Sequence, residues 1–168
     1  QMIPDAQHDL AATFADIAPK LGFSRPAGQC FAAIWSGKNA TSADDLVASL
    51  GISRSNISTA LKELRDAGLV QLLRLPPSRR EYYAASSDPW ALLRQIVAHR
   101  QRRDLAPILD RLHHQHARAP DPKLAALRNM LEAVTGWTAA LARLEPGELA
   151  AFFDASSPAQ RKKKKKKG

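Results

Sequence analysis

The sequence predicts a mainly α-helical chain with one small β-hairpin, on three observations. Between Ser42 and Tyr83 it reads as helix, tight turn, helix and then two short strands. Apolar residues recur at helical spacing on both sides of that stretch, as Leu10, Phe14, Ile17 and Leu21 before it and Leu124, Leu127, Leu131 and Val134 after it. A lone cysteine, Cys30, excludes an internal disulfide and fits a reducing compartment. The fold must therefore rest on an apolar core, which 168 residues at 45% apolar composition can supply.

Taken in order, residues 5 to 21 form an amphipathic helix with Asp5 and Asp9 near its start and Lys20 near its end, closed by Gly22. Pro26 fits the first turn of a second, largely apolar helix through Phe31, Ile34 and Trp35 to Gly37. Cys30 lies in that helix without a cationic neighbour in sequence, so it reads as a core thiol. Ser42 and Asp45 make a capping box, which starts a third helix at Ala43. Gly51 ends it, and a turn of about three residues follows.

Ser53 caps the fourth helix, and Gly68 is its left-handed stop. At roughly 100° per residue, Ile57, Ala60, Leu61 and Leu64 fall on one side of this helix. Ser55, Ser58, Thr59, Lys62 and Asp66 fall on the other. In the first two turns the outward face offers Ser55, Asn56, Ser58 and Thr59 with Arg54 at the edge, short hydrogen-bonding groups that suit a DNA major groove and equally suit a solvated face. Leu69 to Leu75 is too short for a helix and ends at Pro76 and Pro77; Arg80 to Ala84 returns as its partner strand. The hairpin then carries Arg74, Ser78, Arg79 and Arg80 beside the outward helix face. Guanidinium groups there suit phosphate or a narrow minor groove. Helix, turn, helix and basic hairpin in this order predict a winged helix-turn-helix.

The stretch GISRSNISTALKELRDAGLV followed by a hairpin resembles the winged-helix core of the MarR superfamily of bacterial regulators. Gly22-Phe23-Ser24-Arg25, the Arg-Arg-Glu-Tyr-Tyr wing strand and Asp88-Pro89-Trp90 ahead of a long helix make it similar to the GbsR-type branch, named for a repressor of glycine betaine synthesis. The likeness spans roughly residues 10 to 145. It implies that Ser53 to Lys62 is the major-groove helix, that Arg79 and Arg80 are wing contacts, and that the protein is a symmetric dimer joined through terminal helices. It also implies a small-molecule effector, choline-like by the branch name, for which Trp35, Trp90 and Trp137 offer an aromatic cage; core packing is the commoner use of such residues.

Beyond the hairpin, Ser87 or Asp88 caps a helix with Pro89 in its first turn, reaching toward Ala119 and kinked or interrupted at Pro107. Its arginines, Arg94, Arg100, Arg102, Arg103, Arg111 and Arg118, suit either flanking phosphate contacts or plain solvation. His113 and His116 are three apart, but their ligand set is incomplete, so no metal is expected and exposed histidines at a helix end are the default. Asp121 and Pro122 open another helix, Glu145-Pro146-Gly147 breaks it, and a short apolar segment runs from Glu148 to Asp154.

Of the formal charge of +9, Lys162 to Lys167 supply six, leaving +3 for the rest of the chain. Residues 51 to 83 carry six basic against three acidic side chains, so positive charge is concentrated at the motif. No stretch approaches the length of a membrane span, and a cytoplasmic protein without a membrane partner is expected.

The expected organisation is an N-terminal helical arm (1–25), a winged helix-turn-helix DNA-binding domain (26–86), long C-terminal dimerisation helices (87–154) and a disordered basic tail (155–168), whose low complexity fits an appended sequence more than a native tail that raises non-specific DNA affinity. The expected function is a homodimeric transcriptional regulator, more a repressor than an activator, binding double-stranded DNA at a pseudo-palindromic site. Its DNA contacts would come from Ser53, Arg54, Ser55, Asn56, Ser58, Thr59, Lys62, Arg74, Ser78, Arg79 and Arg80. The alternative is a winged helix that docks another protein without sequence-specific DNA binding. No glycine-rich phosphate loop, nucleophile motif or paired catalytic carboxylates point to an enzyme, and no cofactor is expected.

Overall fold

The structure, a computed structural model, describes residues 4–77 and 79–157. The chain divides into two compact units, one up to Ser87 and one from Asp88 onward. Among the described residues no helix is long and apolar enough to cross a membrane.

In the first unit, helix α1 (Pro4–Ile17) runs into a 3-10 turn (Ala18–Leu21) and then helix α2 (Arg25–Ser36). The Ser24 hydroxyl accepts the Ala27 N–H to cap α2, and Pro26 sits in its first turn, where a missing donor costs nothing. α1 packs on α2, with the Phe14 ring centroid 5.4 Å from that of Phe31 and 6.0 Å from that of Trp35. Helix α3 (Ala43–Leu50) starts at the Ser42–Asp45 capping box, in which the Asp45 carboxylate accepts the Ser42 N–H at 3.0 Å and its hydroxyl at 2.6 Å. Helix α4 (Arg54–Asp66) follows after Gly51, Ile52 and Ser53.

α4 closes with a Schellman arrangement: Gly68 N–H donates to the Arg65 carbonyl and Leu69 N–H to that of Leu64, both at 2.9 Å. The geometry needs a left-handed residue, and Gly68 takes φ 73°. Ile57, Ala60, Leu61 and Leu64 are all buried, as their phase requires, and join Leu46, Phe31, Ile34 and Tyr83 in the core.

Strands β2 (Gln71–Arg74) and β3 (Glu81–Ala84) pair antiparallel, with Arg74 opposite Glu81 and Leu72 opposite Tyr83. The expected two-stranded hairpin is in fact one part of a three-stranded sheet in the order β1-β3-β2. β1 is only Thr41–Ser42, pairing Thr41 with Tyr83 and Ser42 with Tyr82. Ser42 thus ends a strand and caps a helix at once, which ties the sheet to the start of α3. The whole is a winged helix-turn-helix.

In the second unit, helix α5 (Pro89–Arg100) starts at Asp88, whose carboxylate accepts the Trp90 N–H at 2.9 Å. The expected interruption at Pro107 takes the form of a π-helical turn (Gln101–Leu105), followed by helix α6 (Ala106–Arg118) with Pro107 in its first turn. Proline has no N–H for the carbonyl four residues back and its ring crowds that carbonyl, so the widened turn absorbs the mismatch. Helix α7 (Pro122–Arg143) is capped by Asp121, and helix α8 (Pro146–Ser156) is longer than the expected 148–154 segment. The Glu148 carboxylate accepts the Glu145 N–H at 2.8 Å, which extends the first turn of α8 backward.

Candidate nucleic-acid interface

The outward face of α4 carries Ser55, Asn56, Ser58, Thr59 and Lys62, all exposed. Its N-terminus is built by Ser53, whose hydroxyl accepts the Asn56 N–H at 3.3 Å, so this side chain serves first as a cap. The Ser53 and Ser55 hydroxyls lie 3.3 Å apart, and Thr59 donates back to the Ser55 carbonyl at 3.0 Å. That leaves a ridge of short polar groups with little side-chain entropy to lose. Lys62 pairs with Asp66 one turn on, at 2.9 Å and well exposed, a contact easily exchanged for phosphate.

The hairpin arginines are less uniform than the sequence implies. Arg74 pairs with Glu81 across the β2–β3 ladder at 3.1 Å. Arg80 bonds Asp44 at 3.0 Å, and Asp44 also accepts from Arg54, so one carboxylate of α3 joins the first residue of α4 to the base of the wing. Arg79 stands exposed beside it. Ser78 lies outside the described residues, as does the lysine run after residue 157. Hydrogen bonds from Arg54 and then Arg80 hold the Asp44 carboxyl below the usual carboxylate range, so it is ionised at neutral pH. Arg80 is correspondingly pushed up, by Asp44 first and Tyr82 second.

Asp44 is the residue the sequence analysis missed. The signal was there: two adjacent carboxylates open α3, and the capping box needs only Asp45. The partners lie 10 and 36 residues away, a separation no local pattern records.

The basic side expected of the helix after the hairpin is partly spent within the second unit. Arg94 donates to the Leu144 carbonyl at 3.3 Å and lies 3.5 Å from Glu145, capping the end of α7. Arg100 pairs with Asp104 at 2.9 Å. His113, expected to be merely exposed, has its Nε2 3.0 Å from Glu132 Oε1 on α7. No group of three or more potential metal ligands occurs among the described residues. Trp35 packs on Phe14, Trp90 stacks on Phe153 at 5.7 Å, and Trp137 meets Phe152 edge-on at 5.2 Å.

A hydrogen-bonding helix ridge, an adjoining basic wing and a scaffold that fixes the two together make the geometry of a groove reader. Residues 21–81 match the model of the MarR family. The match runs from the end of the 3-10 turn to the first residue of β3, and so contains the whole helix-turn-helix. A crystal structure described as a transcriptional regulator shares the fold, with a TM-score of 0.66 at 19% identity over 83% of this chain and 96% of that one. No curated protein matches the chain. The shared fold is a winged helix, and the structural likeness covers more of the chain than the residues that match the MarR family model.

Proposed function

We propose that the protein is a sequence-specific DNA-binding transcriptional regulator that acts as a homodimer, with repression the favoured outcome. The observation that carries this reading is the exposed ridge of Ser55, Asn56, Ser58 and Thr59 on α4, flanked by Arg54 and the wing arginines Arg79 and Arg80. The MarR-family match over residues 21–81 and the fold shared with a transcriptional regulator support it. In a two-fold dimer the two α4 helices would enter successive major grooves roughly 34–36 Å apart, on a pseudo-palindromic operator. The finer assignment, a GbsR-type regulator with a choline-like effector, rests on the resemblance of the Gly22–Arg25 and Asp88–Trp90 segments. Calorimetric titration with choline that yields no heat removes it.

The test is binding to duplex DNA from upstream of the protein's own gene against a scrambled duplex, at near-physiological salt. A chain ending at Ser157 should be used, because six consecutive lysines bind any polyanion. A preference of roughly a thousandfold is expected. Arg80→Ala should weaken binding to both duplexes and lower the salt slope by about one. Equal binding to both duplexes under these conditions would favour a partner-docking winged helix instead.

A further inference from the structure

The N-terminus of α3 holds one carboxylate more than its cap uses. Asp45 closes the capping box with Ser42, whereas Asp44 turns the other way and accepts from Arg54 through Oδ1 and from Arg80 through Oδ2. The side chains of Asp44, Arg54 and Arg80 are 50%, 64% and 51% exposed, too solvated for these ion pairs to matter much for stability. Their consequence is geometric. Arg54 is the first residue of α4 and Arg80 immediately precedes β3, two elements separated along the chain by a loop and the rest of the hairpin. Two guanidinium groups drawn to one carboxylate stand side by side; Arg80 also bonds Tyr82, and a guanidinium carries five N–H donors in all.

We propose that Asp44 is a positioning residue that yokes Arg54 to Arg80, so that helix and wing present a single two-guanidinium clamp to the DNA phosphate backbone. The proposal rests on the DNA-binding reading above. Pre-ordering two long side chains lowers the entropy lost when they meet phosphate, and fixes the angle of the wing relative to the base-facing ridge. The carboxylate also repels the phosphate backbone. Its removal therefore has opposite effects on the two modes of binding: geometry-dependent specific binding weakens, while sequence-independent attraction is unchanged or stronger. A residue that merely stabilised the fold would weaken both.

Asp44→Asn keeps the shape but removes the charge and puts an NH2 donor in place of one of the two oxygens, so one guanidinium faces a donor where it had an acceptor. The chain ending at Ser157, with and without this substitution, should be compared by fluorescence anisotropy over a range of salt. The probes are a duplex enriched from a random pool by the native chain and its scrambled counterpart. Affinity for the enriched duplex is expected to fall roughly tenfold, with affinity for the scrambled one equal or higher. In a double-mutant cycle on the enriched duplex, Arg54→Ala and Arg80→Ala together should cost less than the product of their separate losses. In the Asp44→Asn background the losses should multiply. The clamp is overturned if Asp44→Asn binds both duplexes as the native chain does, or shifts both by the same factor in either direction. A multiplicative cycle in the native background overturns it too. A native chain that enriches no duplex removes the DNA-binding reading itself, and the clamp with it; the other outcomes sink the clamp alone.

Discussion

Glu63 lies toward the packed side of α4 and gives both carboxylate oxygens to Ser24, one to the backbone N–H at 2.8 Å and one to the hydroxyl at 2.6 Å. A negative charge is thereby placed at the positive end of α2, and α4 is pinned to the helix beneath it. Nothing near Glu63 in sequence announces this, because its partner is 39 residues away. Glu63→Ala is expected to cost about 1 kcal/mol of stability in urea unfolding, and an unchanged midpoint would show that the pin is idle. Cys30 is the opposite case, legible from its neighbours alone. It is fully buried, and burial pushes its thiol up to about 12. The native thiol should resist iodoacetamide at pH 8 and react in full once the chain is unfolded; rapid native labelling would refute core placement. Because the folded pKa is raised, the stabilisation from the protonated thiol is complete below 9.0 and is lost as pH rises toward 12.

At the scale of elements, the boundaries that could be read from sequence are those fixed within three or four residues. Ser42 with Asp45, Ser53 and Asp121 cap helices where the sequence predicts, and of the two candidates Ser87 and Asp88 it is Asp88 that caps α5, since each accepts an N–H at most three residues on. β1 was invisible for a related reason: two residues have no periodicity, and Thr41 and Ser42 become a strand only because Tyr82 and Tyr83 lie alongside. The sequence predicts an interruption at Pro107 but not the π-helical turn that makes it, since proline announces a conflict and not its resolution. The packing of α1 on α2 was also beyond the pattern, because it depends on what is missing at Gly28. A Cβ there would lie 2.3 Å from the Phe14 carbonyl oxygen and 2.8 Å from the Ala18 Cβ. Backbone cannot yield as a side-chain tip can, so Gly28→Ala should separate the two helices and lower stability by about 2 kcal/mol, despite alanine's better helix propensity. A thermal melt in which the variant equals or exceeds the native Tm would contradict that close approach.

For the whole molecule, net charge says less about function than its distribution, because Lys162 to Lys167 supply most of it. The apolar surface is more informative. Leu127, Met130, Val134 and Trp137 stand 41–54% exposed on α7, at intervals of three, four and three residues that make one stripe along the helix. Large apolar side chains aligned in this way are costly to leave in water, and a second copy of the chain is the partner our functional reading requires. We therefore expect the native protein to sediment as a dimer, and Leu127→Glu with Val134→Glu to make it a monomer of unchanged helical content. Splitting the dimer leaves each recognition helix to bind a half-site alone, so affinity for a two-fold operator should drop by roughly a hundredfold or more. Half-site affinity should be unaffected. A native chain that sediments as a monomer, or a glutamate variant that stays dimeric, would show that α7 does not join the copies and that the operator is not read by a two-fold pair built on this helix.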